Sequence, residues 1–382
     1  MTDIEKVYCF YVIFTSMACM FDYIKWRGDL DFNVSPFNPV DNIIFSQIAY
    51  LTLDGIVPGP GDKEGISIAL AVRVYNEKLH QPDFKQSSIF KEDSELIKAL
   101  GASKRFGDCQ LFGYVNHVDE ACEIQFAAVC IYTSDDHCFV AYRGTDSSLL
   151  GWKEDFNMCF LDVIPSQLDA VDYLEKMAPM INGPIRIGGH SKGGNLAIYA
   201  ASRCNNKIQK RIASIYSNDA PGFNKEFICS DGYKAIQNKI KSFVPQSSII
   251  GMFMEHGADY TVINSNESGF MQHNLYSWDV DYNDLVHVEK STVTSKFINN
   301  TLREWLSNID NEKREDFIEA LYHILSAADI KSVSELDSSW LSLLSRVFRS
   351  LNSVEESKRK LIRQTLKDLV RSAGHNFDTF FR

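Results

Sequence analysis

Between residues 107 and 142 apolar side chains recur at every second position, whereas in most of the chain they recur every three to four. The period-two stretches 107–115, 123–132 and Cys138–Tyr142 predict three successive strands. Their polar connections at 117–120 and 134–137 are short, and short connections make antiparallel neighbours. Helical spacing then predicts helices over 150–160 and 168–180. A different order follows: an apolar run from Pro184, a helix over 195–202, a strand over 212–216, a helix near Asn224 and strands over 240–244 and Tyr260–Ile263. Strands alternating with helices imply a parallel sheet covered on both faces. Upstream, 42–51, 62–75 and 92–100 carry helix-period apolar positions. From about residue 291 strands cease, and 297–306, 312–327, 339–351 and 354–373 read as helices. The organisation expected is an apolar N-terminal segment (1–21), an α/β domain (22–290) and a C-terminal helical subdomain (291–382).

The N-terminal run over 7–21 is fifteen residues long, short for a membrane span. Asp3 and Glu5 precede its only early base, Lys6, so it lacks the basic start of a secretion signal. A packed or partner-bound helix is the first expectation, weak membrane contact the second. Composition changes little: 45% apolar and 23% charged residues suit a globular protein of 382 residues. A net charge of −11 argues against nucleic acid as a partner and fits a cytoplasmic protein. The nine cysteines are odd in number and contain no C-x-x-C pair, so neither disulfides, metal nor cofactor is called for.

The chemistry concentrates at Gly189-His190-Ser191-Lys192-Gly193. An apolar strand runs into this glycine-framed turn and a helix follows, which is the context a G-x-S-x-G nucleophile elbow requires. A serine needs a base, an acid that orients the base, and donors for the oxyanion. In this architecture acid and base follow the serine in the chain. Three histidines lie close enough downstream to sit on a loop beyond the last strands, His256, His273 and His287, and placement in a polar loop after a strand favours His273. For the acid, Asp219 stands at a strand end, where such sites are built, although it would also suit a turn cap; Glu255 and Asp259 come later. The amide of Lys192 is one oxyanion donor. The other is expected from Thr145, in the junction Tyr142-Arg143-Gly144-Thr145-Asp146. Arg143 and Asp155 read as a structural ion pair. Ile249, Met252, Phe253, Met254, Phe270 and Met271 are candidates for an acyl pocket, each also suited to ordinary core.

Residues 141–148 followed by Gly151-Trp152-Lys153-Glu154-Asp155 resemble the oxyanion segment of the class 3 lipases. Together with 188–195, Trp26-Arg27-Gly28-Asp29, Pro36-Phe37-Asn38, Asn218-Asp219, Pro221-Gly222-Phe223 and Gln272-His273, the set resembles a bacterial family of lipase-like α/β-hydrolases of unassigned function. The resemblance covers roughly residues 22–290. It implies an α/β-hydrolase fold, Ser191 as nucleophile, His273 as base, and Thr145 with Lys192 at the oxyanion hole. One position departs from it. Where the related family places the triad aspartate, this chain has Ser247. A neutral serine cannot stabilise an imidazolium, and loss of the acid costs on the order of 10⁴ in turnover in related triads. Either Asp219 takes over or the site is impaired. The expected activity is an esterase- or lipase-like serine hydrolase acting on an acyl ester; the alternative is a hydrolase-fold protein that only binds.

Overall fold

The computed structural model describes residues 17–62, 64–79, 90–119, 121, 124–146, 154, 157–158, 161–248, 250–289, 297, 300–301, 304–305, 308 and 356–381. In chain order it contains helices α1 (Met20–Arg27) and α2 (Pro39–Ile48), strand β1 (Ile66–Ser67), and helices α3 (Ile68–Lys78), α4 (Asp93–Ala102) and α5 (Lys104–Gly107). Strands β2 (Gln110–Asp119), β3 (Ile124–Tyr132) and β4 (Cys138–Tyr142) come next, then α6 (Pro165–Met177), β5 (Ile185–His190), α7 (Lys192–Arg203), α8 (Asn206–Arg211) and β6 (Ile212–Asn218). Then follow α9 (Lys225–Cys229), α10 (Asp231–Ile236), β7 (Ile240–Pro245), β8 (Tyr260–Ile263), the small pair β9 (Val280–Asp281) and β10 (Asp284–Leu285), and α11 (Glu356–Phe381).

Eight strands form one sheet in sequence order. Strands β1 to β4 pair antiparallel, β2 to β4 through the short turns expected, and β4 to β8 pair parallel. With strands in sequence order, right-handed crossovers carry every connecting helix to the same face. Helices α6, α7, α9 and α10 accordingly share one core with Cys138, Val140 and Tyr142 of β4. Phe139 and Ala141, the alternate residues, face the other core, which α1 to α4 cover. This is the layered, mostly parallel sheet that the pattern predicts and the α/β-hydrolase fold that the resemblance implies.

Several elements shift from expectation for local reasons. Helix α2 starts at Pro39 rather than near Asp41, because the Asn38 side chain accepts from the amides of Val40 (2.9 Å) and Asp41 (3.2 Å). Helix α6 starts at Pro165, ahead of the expected 168, again with proline in its first turn. Helix α1 runs across the boundary expected at residue 21: Met20 and Tyr23 are fully buried and Phe21 stacks on Tyr276. Residues 7–16 of the apolar run, most of the helix expected over 150–160 and those over 312–327 and 339–351 lie outside the described residues. No described helix is long and apolar enough to cross a membrane.

Helix α2 is buried on all sides from Val40 to Ile48, although four of those residues are polar. Each polar side chain therefore needs a partner. Asn42 and Ser46 meet Asn218 at the end of β6, and Gln47 donates to Asp93 at 2.8 Å. Asp41 meets Arg105 in a two-pronged ion pair, Nε–Oδ1 2.8 Å and Nη2–Oδ2 2.6 Å, with both side chains shut off from solvent. The same guanidinium donates to the carbonyls of Leu30 and Ser35 and lies 3.9 Å from the Phe32 ring centre. The Arg105 amide also donates to the Gly28 carbonyl at 2.9 Å. The motifs around Gly28 and Asn38 thus serve this clamp, not the chemistry. Arg105→Leu strands the Asp41 carboxylate in the core. It is expected to lower unfolding free energy by about 3–5 kcal/mol in urea titration, and pairing it with Asp41→Leu should recover most of that loss.

Candidate active site

The end of β5 carries Ser191 into a backbone conformation of φ 56° and ψ −131°. Non-glycine residues avoid this region, so the surroundings must impose it. The Ser191 amide donates to the Asn218 carbonyl at 2.9 Å, and the Asn218 side chain returns to the Gly189 carbonyl at 3.0 Å. Helix α7 begins at the next residue, Lys192, three residues earlier than expected. Its first turn presents backbone amides without intrahelical acceptors, together with the positive end of its dipole. Two glycines make the packing possible. A Cβ on Gly193 would overlap the Tyr142 carbonyl oxygen, and one on Gly144 would overlap the Tyr50 hydroxyl and lie 3.1 Å from the Ser191 Cβ. The segment containing Thr145 therefore lies directly against Ser191.

The structure brings His273 and Asp219 together. His273 closes a 3₁₀ turn, Gly269–His273, and its Nδ1 lies 2.6 Å from Asp219 Oδ2. Asp219 follows β6 at φ 47°, and its amide donates to the Phe243 carbonyl of β7 at 2.8 Å. Its side chain is 1% exposed and that of His273 17%. The other carboxylate oxygen accepts from the Ser248 hydroxyl at 2.5 Å and the Gly251 amide at 3.1 Å. Strands β5 and β6 pair in register from His190 to Asn218, so Ser191 and Asp219 follow adjacent, aligned strand ends.

Ser247 has a different task. Its amide donates to the Gln272 side chain at 2.8 Å, and Gln272 donates onward to the Glu267 carbonyl at 2.7 Å. The loop after β7 thus supports the His273 turn from one side and, through Ser248, the Asp219 carboxylate. On the other side Trp278 donates to the Gln272 carbonyl, and Tyr276 reaches buried Asp93 at 2.6 Å. The remaining candidates sit elsewhere. His256 packs beside Tyr260, and His287 lies 3.6 Å from Asp284 on the surface. Glu255 faces Lys225 at 3.9 Å, its backbone paired with Phe223. Asp259 lies exposed just before β8.

Two features have no signal in the motif pattern. The Lys192 side chain is fully buried and meets Glu154 Oε2 at 2.5 Å and the Gln125 carbonyl at 2.9 Å. Glu154 also accepts from the Ser166 hydroxyl and from the amides of Ser166 (3.2 Å) and Gln125 (3.3 Å). The Gln125 side chain accepts from the Asp146 amide at 3.0 Å, next to Thr145. The ion pair beside the elbow is therefore Lys192–Glu154. Arg143, expected to pair with Asp155, donates to the Asn116 side chain at 3.0 Å, and Asp155 lies outside the described residues. His190 is the second feature. Its Nε2 lies 2.7 Å from the His273 carbonyl and its ring 4.4 Å from the His273 ring.

Of the anticipated acyl-pocket residues, Met254 lines a cavity of about 20 Å³ together with Met158, Leu161, Phe223, Phe227 and Asn195. Met271 is half exposed. Ile249 and the Phe270 side chain are outside the described set.

The model of the Mbeg1-like family matches residues 100–323. No curated protein matches the sequence significantly. Among solved structures, the chain is similar to a Rhizomucor miehei lipase in its propeptide complex at 14% identity and TM-score 0.35, covering 61% of this chain and 74% of that one. The Lip2 lipase of Yarrowia lipolytica is 12% identical at TM-score 0.37, covering 67% and 87%. A lipase from Rhizopus microsporus var. chinensis is 14% identical at TM-score 0.36, covering 71% and 90%.

Proposed function

The chain belongs to the Mbeg1-like family, and we propose that it is a serine hydrolase cleaving a carboxylic ester through an acyl-enzyme on Ser191. The observation that carries this reading is the 2.6 Å contact between His273 and a buried Asp219, beside a serine held in a strained turn. An ionised carboxylate only accepts, so Nδ1 of His273 carries the proton and Nε2 keeps its lone pair. In the proposed reaction Ser191 Oγ attacks the acyl carbonyl while His273 Nε2 takes the hydroxyl proton. Asp219 stabilises the imidazolium that forms. The amides of Lys192 and Thr145 receive the oxyanion. Collapse of the tetrahedral adduct breaks the ester C–O bond, and His273 returns the proton to the departing alcohol. Water, deprotonated by the same histidine, then releases the carboxylic acid and restores Ser191.

The binding-only alternative rests on the neutral residue at 247. Against it, Ser247 supports the histidine turn through Gln272, while a carboxylate from the neighbouring strand meets the histidine.

A fluorophosphonate probe tests the proposal, because it phosphonylates only an activated serine. Wild type should label, and Ser191→Ala should lose the signal entirely while keeping its melting temperature. An unlabelled wild type, or equal labelling of the variant, would sink the enzyme reading. Hydrolysis of p-nitrophenyl esters of increasing chain length then reads the acyl preference.

A further inference from the structure

His190 occupies the variable position inside the elbow motif, and its side chain points away from solvent: the residue is 2% exposed. Both ring nitrogens have oxygen partners. Nε2 lies 2.7 Å from the His273 carbonyl oxygen, and a carbonyl only accepts, so this nitrogen carries the proton. Nδ1 lies 3.0 Å from the Tyr50 hydroxyl, which must then donate to it. The Tyr50 hydroxyl fits there because residue 144 is glycine. The same hydroxyl sits 3.2 Å from the His190 carbonyl.

We infer that His190, its ring held by Tyr50, is a positioning residue that holds the main chain of His273 against the elbow. His190 is covalently next to Ser191, so this hydrogen bond is a direct tie between nucleophile and base. Asp219 fixes the His273 ring from one side, and His190 fixes its backbone from the other. The tie must also be electrically neutral. The two imidazole rings are 4.4 Å apart, and a second cation there would oppose the imidazolium formed when Ser191 gives up its proton. Burial, and then the neighbouring His273 charge, hold His190 well below the ordinary histidine range, so it stays a neutral donor.

This inference rests on the hydrolase reading, and the test separates the two. Wild type, His190→Leu, His190→Gln and Tyr50→Phe are compared for melting temperature, fluorophosphonate labelling rate, and kcat and KM on p-nitrophenyl butyrate. Small misplacements of a reacting group cost rate more than binding. His190→Leu and Tyr50→Phe should therefore lose about 10-fold or more in labelling rate and kcat, with KM changed less than about 2-fold. His190→Gln keeps an N–H donor and should recover part of the loss in His190→Leu. Wild-type rates in both His190→Leu and Tyr50→Phe would overturn the positioning role alone. A KM increase at unchanged kcat would do the same. A wild type that neither labels nor hydrolyses overturns the hydrolase reading and this inference with it.

Discussion

Asp219→Asn should lower kcat by about 10⁴ while leaving the protein folded. The size of the effect follows from which oxygen is already engaged. Oδ1 accepts from two donors, the Ser248 hydroxyl and the Gly251 amide, so the asparagine carbonyl oxygen must take that place. Its NH₂ group then faces His273 Nδ1. Two donors cannot share a hydrogen bond, so the imidazole must move its proton to Nε2, which would face Ser191 as a donor and could not act as a base. Asp219→Ala loses the stabilising charge without forcing the wrong tautomer, and should be less damaging than Asp219→Asn. Steady-state kinetics on p-nitrophenyl butyrate and the labelling rate both read this order. Near-wild-type turnover in Asp219→Asn would show that another group supports the base.

The second large effect is on stability. Lys192→Met leaves the Glu154 carboxylate in the core with its Ser166 and Gln125 donors but no cation. Breaking a buried ion pair from one side costs about 3–5 kcal/mol, a large share of the 5–15 kcal/mol that a typical protein has. Glu154→Gln should cost a similar amount by stranding the ammonium. The double variant Lys192→Met with Glu154→Gln removes both charges and should recover most of the loss. Urea titration followed by tryptophan fluorescence measures all three. If each single variant stays within about 1 kcal/mol of wild type, the pair is not the buried, mutually dependent unit described. A kinetic effect accompanies it. Lys192 Nζ holds the Gln125 carbonyl, and the Gln125 side chain holds the Asp146 amide, so one cluster aligns both proposed oxyanion donors. Turnover should fall in Lys192→Met even where the protein remains folded, although its backbone amide is unchanged.

The elbow was legible because every part of it is local. Strand, glycine-framed turn and helix are neighbours in the chain, and their spacing alone orders them. The antiparallel-then-parallel sheet was legible for the same reason: period-two stretches with short turns, then strands separated by helices. The role of residue 247 was not. Its neutrality suggested a missing acid, whereas β6 and β7 lie side by side and the loop after either can reach His273. Nor could the motifs around Gly28 and Asn38 be recognised as structural, since the Arg105 and Asp41 they hold are 64 residues apart and nothing periodic connects them.

The amino-acid pattern alone was enough to establish the α/β layering and a glycine-framed turn at a strand end, because backbone periodicity and turn stereochemistry act over a few residues. Tertiary structure decided which carboxylate meets His273, which acid neutralises Lys192, and that the His190 ring meets the His273 carbonyl. Those choices depend on which strand ends and loops come within about 3 Å of one another, the reach of a hydrogen bond. That distance is set by sheet register and packing across the whole chain, and no local stretch of sequence carries it.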